Sequence, residues 1–338
     1  MALSDLFSKY KKYIAGVVVG FLVINRWDYV AENWEYWITP TEQTEQTPPP
    51  TTSTIEQDAV VPTTTQTDKE PATPIPTPKD ESPVDRVNQV KVVTWNLYNI
   101  GISKDDEEVE FIAKLLKNYD IIAVQEVSTK ISGPRAITKL NEELSRRGSK
   151  WEYVISDPTS GPGSERYAYL WKTKRVKLSG RPWLVKAKDL DDKINREPYM
   201  ARFEVDGHKI LMANFHAVPS SKDPENEIVL LDELHNSYRN DNLTIMGDFN
   251  LSQKHEAFDN IKRKGYRPVL INQKTSLKTK IKDGNYLAQE YDNLFYENRA
   301  FVNKRSGIID FVKSFDNDLK AARNISDHLP VWCELTWK

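Results

Sequence analysis

Cysteine is nearly missing from this chain, with Cys333 the only one in 338 residues. No internal disulfide can form, so stability has to come from packing or a bound ion, and cysteine usage leaves the compartment open. A long apolar run is missing as well. The most apolar stretch, residues 13–24 (YIAGVVVGFLVI), holds twelve residues, short of the roughly 20 that span a bilayer comfortably. Charge of one sign is lacking overall, the formal net being -2, but residues 1–85 carry 6 Lys/Arg against 13 Asp/Glu and residues 86–338 carry 41 against 36. The first part is therefore near -7 and the rest near +5, a mild basicity that permits a polyanionic partner without requiring one. No internal repeat is visible, which excludes a solenoid or a propeller.

Aromatics are absent from residues 39–84, where 23 of 46 residues are Thr or Pro. Such a stretch cannot bury enough apolar surface to offset chain entropy, and residues 39–85 read as an extended linker. Residues 1–38 read as a membrane segment. Lys9, Lys11 and Lys12 precede the apolar run, and Trp27, Tyr29, Trp34, Tyr36 and Trp37 follow it like an interfacial belt. A cleaved signal peptide is the other reading, but Asn25, Arg26 and Trp27 stand where a signal peptidase needs small residues, which favours an uncleaved anchor. The lysines then keep the N-terminus cytoplasmic, and the rest of the chain is expected outside the cytoplasm, periplasmic or extracellular.

Residues 86–338 suffice for one α/β domain. Its pattern opens as strand, helix, strand: an apolar run from Val90, an amphipathic helix over 105–118, then the buried strand IIAVQE. Further strands are expected over 152–155, 167–171, 199–205, 209–214 and 243–246, with helices over 137–147 and 225–239. Polar residues recur where these apolar strands end: Asn96, Glu126, His216, Asp248 with Asn250, and Asp327 with His328 before LPVWCEL. Each alone is weak, since strand ends and turns carry polar residues for structural reasons. The chain has only five histidines, however, and two of them fall at strand edges beside carboxylates. Carboxylates are hard ligands for Mg²⁺, Ca²⁺ or Mn²⁺, imidazoles exchange protons near neutral pH, and Asn amides donate to phosphate oxygens. Together they point to phosphodiester hydrolysis.

The motifs TWNLYNIG, AVQEV, SERYAYLW, NREP, NFHAVPS, MGDFN, YDNLF and SDHLPV occur in the order seen in the endonuclease/exonuclease/phosphatase superfamily. The resemblance spans residues 90–335. SERYAYLW, the REP tripeptide at 196–198 and HAVPS resemble the deoxyribonuclease I branch in particular. The resemblance implies an α+β fold, a four-layer α/β/β/α sandwich of two packed, mainly antiparallel sheets flanked by helices. It implies Glu126 as metal ligand, Asn96 beside it on metal or phosphate, and Asp327 as a further metal-site carboxylate. His216 and His328 resemble the family's histidine pair, one serving the attacking water and one the leaving oxygen, oriented by Glu165 and Asp292. Asp248 and Asn250 would position the nucleophile or metal, and Arg196 would contact a DNA phosphate. Two departures stand out. Ser128 occupies the place where animal nucleases tend to carry a groove-reading Arg, and the GPGS loop before Glu165 lacks an aromatic.

The expected function is a divalent-metal-dependent DNA endonuclease of low sequence specificity, monomeric and membrane-anchored, with Mg²⁺ the expected ion. A lipid or inositol-phosphate phosphodiesterase or phosphatase of the same superfamily is the alternative. The segment 262–282 carries eight cations, among them Lys274, Lys278, Lys280 and Lys282, and is expected to hold the DNA backbone. Asn250 also opens a glycosylation sequon, taken as accidental because a glycan would block the site.

Overall fold

The computed structural model describes residues 88–190 and 193–338, so the expected membrane segment (1–38) and the expected linker (39–85) lie outside the described residues. In chain order the elements are β1 (Gln89–Ile100), α1 (Asp106–Leu116), β2 (Ile121–Val127), α2 (Ser132–Ser145), β3 (Trp151–Ile155), β4 (Arg166–Lys172), β5 (Val176–Leu178) and β6 (Trp183–Leu184). There follow β7 (Tyr199–Val205), β8 (His208–His216), α3 (Glu225–Ile228), α4 (Leu231–Tyr238), β9 (Leu243–Asp248), α5 (Asp259–Arg263) and β10 (Tyr266–Pro268). The chain closes with β11 (Leu277–Lys282), β12 (Asn285–Leu287), β13 (Asp292–Glu297), β14 (Phe301–Ile308), α6 (Leu319–Ile325) and β15 (Val331–Trp337).

Two mixed sheets form. The first runs β14-β15-β1-β2-β4-β3 and the second β10-β13-β9-β8-β7-β5, with β6 added beside β7. Parallel pairing is confined to β1–β2 and β8–β9; the other pairs in the two sheets are antiparallel. Parallel neighbours need a crossover, supplied by α1 in the first sheet and by α3 and α4 in the second.

Side-chain alternation divides the apolar residues into three layers. Val90, Val92, Ile121, Ala123, Ile210, Met212 and Met246 face the space between the sheets. Val93, Trp95, Ile122 and Val124 face α1 and α2, while Leu211, Ala213, Phe215 and Ile245 pack under α4 and α5 with Leu231, Leu234 and Ile261. The result is the expected α/β/β/α sandwich. Carrying the inward rows upward by twos reaches Asn96 on β1, His216 on β8 and Asp248 on β9, so the inter-sheet core ends in polar groups. Just beneath, the Gln125 amide nitrogen donates to Thr94 Oγ1 (2.9 Å) and to Asn214 Oδ1 (2.6 Å), tying one sheet to the other through buried polar groups.

Several local expectations need correction. The second helix starts at Ser132 instead of residue 137, because Pro134 lies in its first turn, where no backbone N–H is required. The single helix expected over 225–239 is two, since tight turns in which Leu230 N bonds Glu227 O (3.2 Å) and Glu233 N bonds Leu230 O (3.1 Å) separate α3 from α4. The basic segment 262–282 spans several elements. It contains the end of α5, all of β10 and all of β11.

Candidate active site

The site is built where the C-terminal ends of β1, β2, β8 and β9 meet the N-terminal ends of β4, β13 and β15. Register fixes several contacts: Asp248 lies opposite both His216 and Asp292, and Arg166, next to Glu165, lies opposite Val127, next to Glu126. Gly247 makes the first of these possible. Its φ is +137°, and a Cβ there would stand 1.9 Å from the Phe215 carbonyl oxygen, so only glycine lets β9 approach β8 at this level.

Five side chains form an alternating series of acid and imidazole. His216 Nδ1 donates to Glu165 Oε2 at 2.9 Å, and its Nε2 lies 3.4 Å from Asp248 Oδ2. His328 Nε2 lies 3.5 Å from that same oxygen, and its Nδ1 bonds Asp292 Oδ2 at 2.8 Å. All five residues are buried. Burial disfavours the imidazolium at His216, but Glu165 and Asp248 outweigh it and raise its pKa above the usual value. Burial likewise works against the charged form of His328, and Asp292 and Asp248 push it well above the usual value. Desolvation would raise Glu165 and Asp248; the neighbouring histidines, with Arg196 acting on Glu165, hold both below the ordinary carboxylate range.

Around this series stand groups that fix it. Arg196 Nη1 donates to Glu165 Oε2 at 3.1 Å and its Nη2 to the Ala217 carbonyl. Arg196 is buried, so it does not stand free at the surface as the expected phosphate contact; both ends of its guanidinium already serve protein acceptors. Thr275 Oγ1 donates to Asp292 Oδ2 (2.7 Å) and accepts from Asp292 N (2.9 Å). Ser326 Oγ donates to the Asn96 carbonyl (2.6 Å) and accepts from His328 N (2.9 Å). Tyr167 OH accepts from His216 N at 3.2 Å. Asn250 N donates to Asp248 Oδ1 (2.9 Å), and Asn250 Nδ2 donates to the Ala217 carbonyl (3.1 Å). Sequence reading missed Thr275, which carries no signal, and Ser326, whose place two residues before His328 is a legible hydroxyl turn.

Glu126 has a constrained backbone. At φ +59° it is left-handed, which costs a non-glycine residue about 1–2 kcal/mol. Strand alternation would send Glu126 to the helix side with Val124. The left-handed turn, where the β1–β2 and β2–β4 registers both slip, brings its carboxylate back to Asn96 Nδ2 (2.9 Å) and Asn99 N (2.9 Å). Asn96 Nδ2 also reaches Asp248 Oδ2 at 3.1 Å, joining Glu126 to the acid–imidazole series. Burial pushes the Lys104 ammonium down to about 8 against the pull of Glu108, Glu126 and Asp327. Asp327 is half-buried, with Arg323 Nη2 3.3 Å away.

These residues fit a hard divalent ion, with oxygen donors on Glu126, Asp327 and Asn96 at a partly open edge. A second acidic group, Asp248, Asp292 and His328, has donor atoms within 4.8 Å of one another. There His328 Nδ1 is hydrogen-bonded to Asp292 and its Nε2 stands 3.5 Å from Asp248, so the imidazole already neutralises part of the acidic charge.

The four lysines lie elsewhere. Lys274 precedes β11, Lys278, Lys280 and Lys282 lie on it, and the turn of the hairpin is Asp283–Gly284. The hairpin is rooted at the site through the Ser276–His328 bridge and Leu277 N to the Asp327 carbonyl (2.7 Å). Ser128, at the place of the missing groove Arg, is buried.

This fold and site define a class: the chain belongs to the Endonuclease/Exonuclease/phosphatase family, whose family model matches residues 93–328. Within it the chain is a deoxyribonuclease I-like member. It is 28% identical over 264 residues to deoxyribonuclease gamma of Mus musculus, covering 72% of this chain and 83% of that protein. It is 25% identical over 263 residues to deoxyribonuclease-1-like 1 of Sus scrofa, covering 73% and 81%. A solved family member from Bacteroides thetaiotaomicron superposes with a TM-score of 0.55 at 17% identity, over 74% of this chain and 98% of that one, which supports the fold alone.

Proposed function

We propose that the chain is a divalent-metal-dependent DNA endonuclease of low sequence specificity. The observation that carries the chemistry is the placement of His216 Nε2 and His328 Nε2 at 3.4 and 3.5 Å from one oxygen of Asp248. Phosphodiester hydrolysis needs a group that takes a proton from water and another that gives one to the leaving oxygen. Two imidazoles, each backed by its own carboxylate, supply that pair within one small volume. Asp248 orients the water between them, Asn250 provides an amide donor toward phosphate oxygens, Asn96 holds Asp248 and Glu126 in place, and Glu165, Asp292, Thr275 and Arg196 fix ring orientation. A hard ion such as Mg²⁺, with Ca²⁺ or Mn²⁺ suited to the same donors, would be held by Glu126, Asp327 and Asn96 and would neutralise charge on the phosphate.

DNA as substrate is supported by relatives named deoxyribonucleases. It is supported too by the lysine-bearing hairpin beside His328, where Lys274, Lys280 and Lys282 are exposed and Lys278 Nζ donates to Asn285 O at 3.2 Å. Membrane anchoring rests on residues 1–38. Among the described residues no helix is long and apolar enough to cross a membrane, so protease treatment of intact cells, releasing the enzyme, is the test of that part. For the chemistry, the purified full-length protein should nick supercoiled plasmid with Mg²⁺ and stop on adding EDTA. Turnover of sphingomyelin or inositol phosphates with no DNA cleavage would overturn the proposal.

A further inference from the structure

The cations that precede the hairpin form a feature of their own. Lys262 and Arg263 close α5 and Arg267 sits on β10; with Gln253, Asp259, Pro268 and Ile271 they line a cleft of about 460 Å³. Their hydrogen bonds go to neutral groups. Lys262 Nζ donates to the Gln253 carbonyl, Arg263 Nη2 to the Asn260 side-chain oxygen, and Arg267 Nη1 to the carbonyls of Lys262 (3.1 Å) and Tyr266 (2.9 Å). Among the described residues none of the three has a carboxylate at ion-pair distance, whereas Arg323 and Lys254, also beside the site, lie 3.3 Å from Asp327 and from Glu290. Asp259 is the sole acid in the lining. Ile271, 67% exposed, adds an apolar flank. Excess positive charge in a concave wall with an aliphatic shoulder matches one nucleotide unit, phosphate on the cations and sugar or base on Ile271 and Pro268.

The cleft also has a fixed relation to the reacting centre. Gln253 follows Asn250 by three residues, at most about 11 Å of chain, and the bond from Lys262 anchors the cleft wall to that loop. Successive phosphates of one strand rise about 3.4 Å along the helix axis, so this reach spans at most about three nucleotides. Asn250 follows β9 of the second sheet, while the lysine hairpin is rooted at His328 beside the first. We propose that the Lys262–Arg263–Arg267 cleft is a separate anion-binding site that holds a backbone phosphate within about three nucleotides of the scissile bond, on the Asn250 side. The inference rests on the nuclease reading.

Arg263 and Arg267 are exposed, which makes R263Q/R267Q the variant of choice, assayed in the full chain with duplex DNA between about 50 and 200 mM salt. KM for the duplex should rise about tenfold, kcat should stay within about twofold, and the slope of log KM against log salt should flatten by about one unit for each phosphate the variant no longer holds. The charge-conserving R263K/R267K variant should restore both. Hydrolysis of bis(p-nitrophenyl) phosphate, too small to reach the cleft, reports an intact centre, and the single R263Q and R267Q variants keep the test decisive if the double one folds poorly. Unchanged KM and salt slope in variants that still hydrolyse the small diester would overturn the cleft. Failure of the wild type to cut duplex at all would instead overturn the nuclease reading.

Discussion

Asp248 Oδ2 shares its charge between two imidazoles, so the two histidines are linked through one atom and should fail together. His216→Ala or His328→Ala should each lower kcat by at least about 10²-fold while the protein still folds, and the double variant should lose little more than either single one. Steady-state nicking rates beside circular dichroism spectra check this. Near-additive losses would mean that the rings act independently. The charge on Glu165 gives a pH test. It is a main cause of the raised pKa of His216, opposing burial, so Glu165→Gln should move the His216 limb of the kcat/KM–pH profile to lower pH. The acidic limb moves if His216 is the base and the alkaline limb if it is the acid; neither moving would leave Glu165 a mere packing residue. At this scale the sequence was informative where residues are scarce and stand at strand ends, as both histidines do. It was uninformative where a partner is distant in sequence: nothing near Arg196 marks it as buried against Glu165 and the Ala217 carbonyl.

Glu126 shows how an element is bent for a site. A continuous apolar run identifies β2 as a buried strand, yet strand alternation alone points Glu126 the wrong way, and only the left-handed turn that breaks the ladder brings it to Asn96. A local irregularity of that kind leaves no mark in the hydrophobic pattern. Gly247 is the complementary case, where the strand must stay regular and thin. Gly247→Ala should destabilise the domain by more than about 3 kcal/mol or prevent folding, because the added methyl meets the Phe215 carbonyl, a backbone atom that cannot rotate away. Denaturant titration measures it, and a wild-type midpoint would contradict the packing described. The hairpin is legible in the chain itself. Asp283–Gly284, both at positive φ, is a two-residue turn of the type that closes β-hairpins. Replacing Lys274, Lys278, Lys280 and Lys282 with Gln should weaken duplex binding across all sequences, with a flatter salt dependence and unchanged affinity for Mg²⁺.

For the whole molecule, a divalent ion held as proposed by Glu126, Asp327 and Asn96 should stabilise the folded domain. At a Mg²⁺ concentration about 100 times its Kd, linkage gives about 2.7 kcal/mol, or roughly 5–10 °C in Tm for a domain of this size. Glu126→Gln should abolish that shift, and a Tm indifferent to Mg²⁺ in the wild type would place the ion elsewhere. The layered architecture was legible because apolar periods assign each strand a face. The edges were harder: β5, β6 and β10 are only two or three residues long and are set by pairing with long strands instead of by their own pattern. The most direct test of the central claim replaces one oxygen. Asp248→Asn keeps the volume and removes the charge that both imidazoles share, so nicking of supercoiled plasmid by the full-length variant in Mg²⁺ should fall by at least about 10²-fold with an unaltered fold. Nicking at the wild-type rate would contradict the site as described.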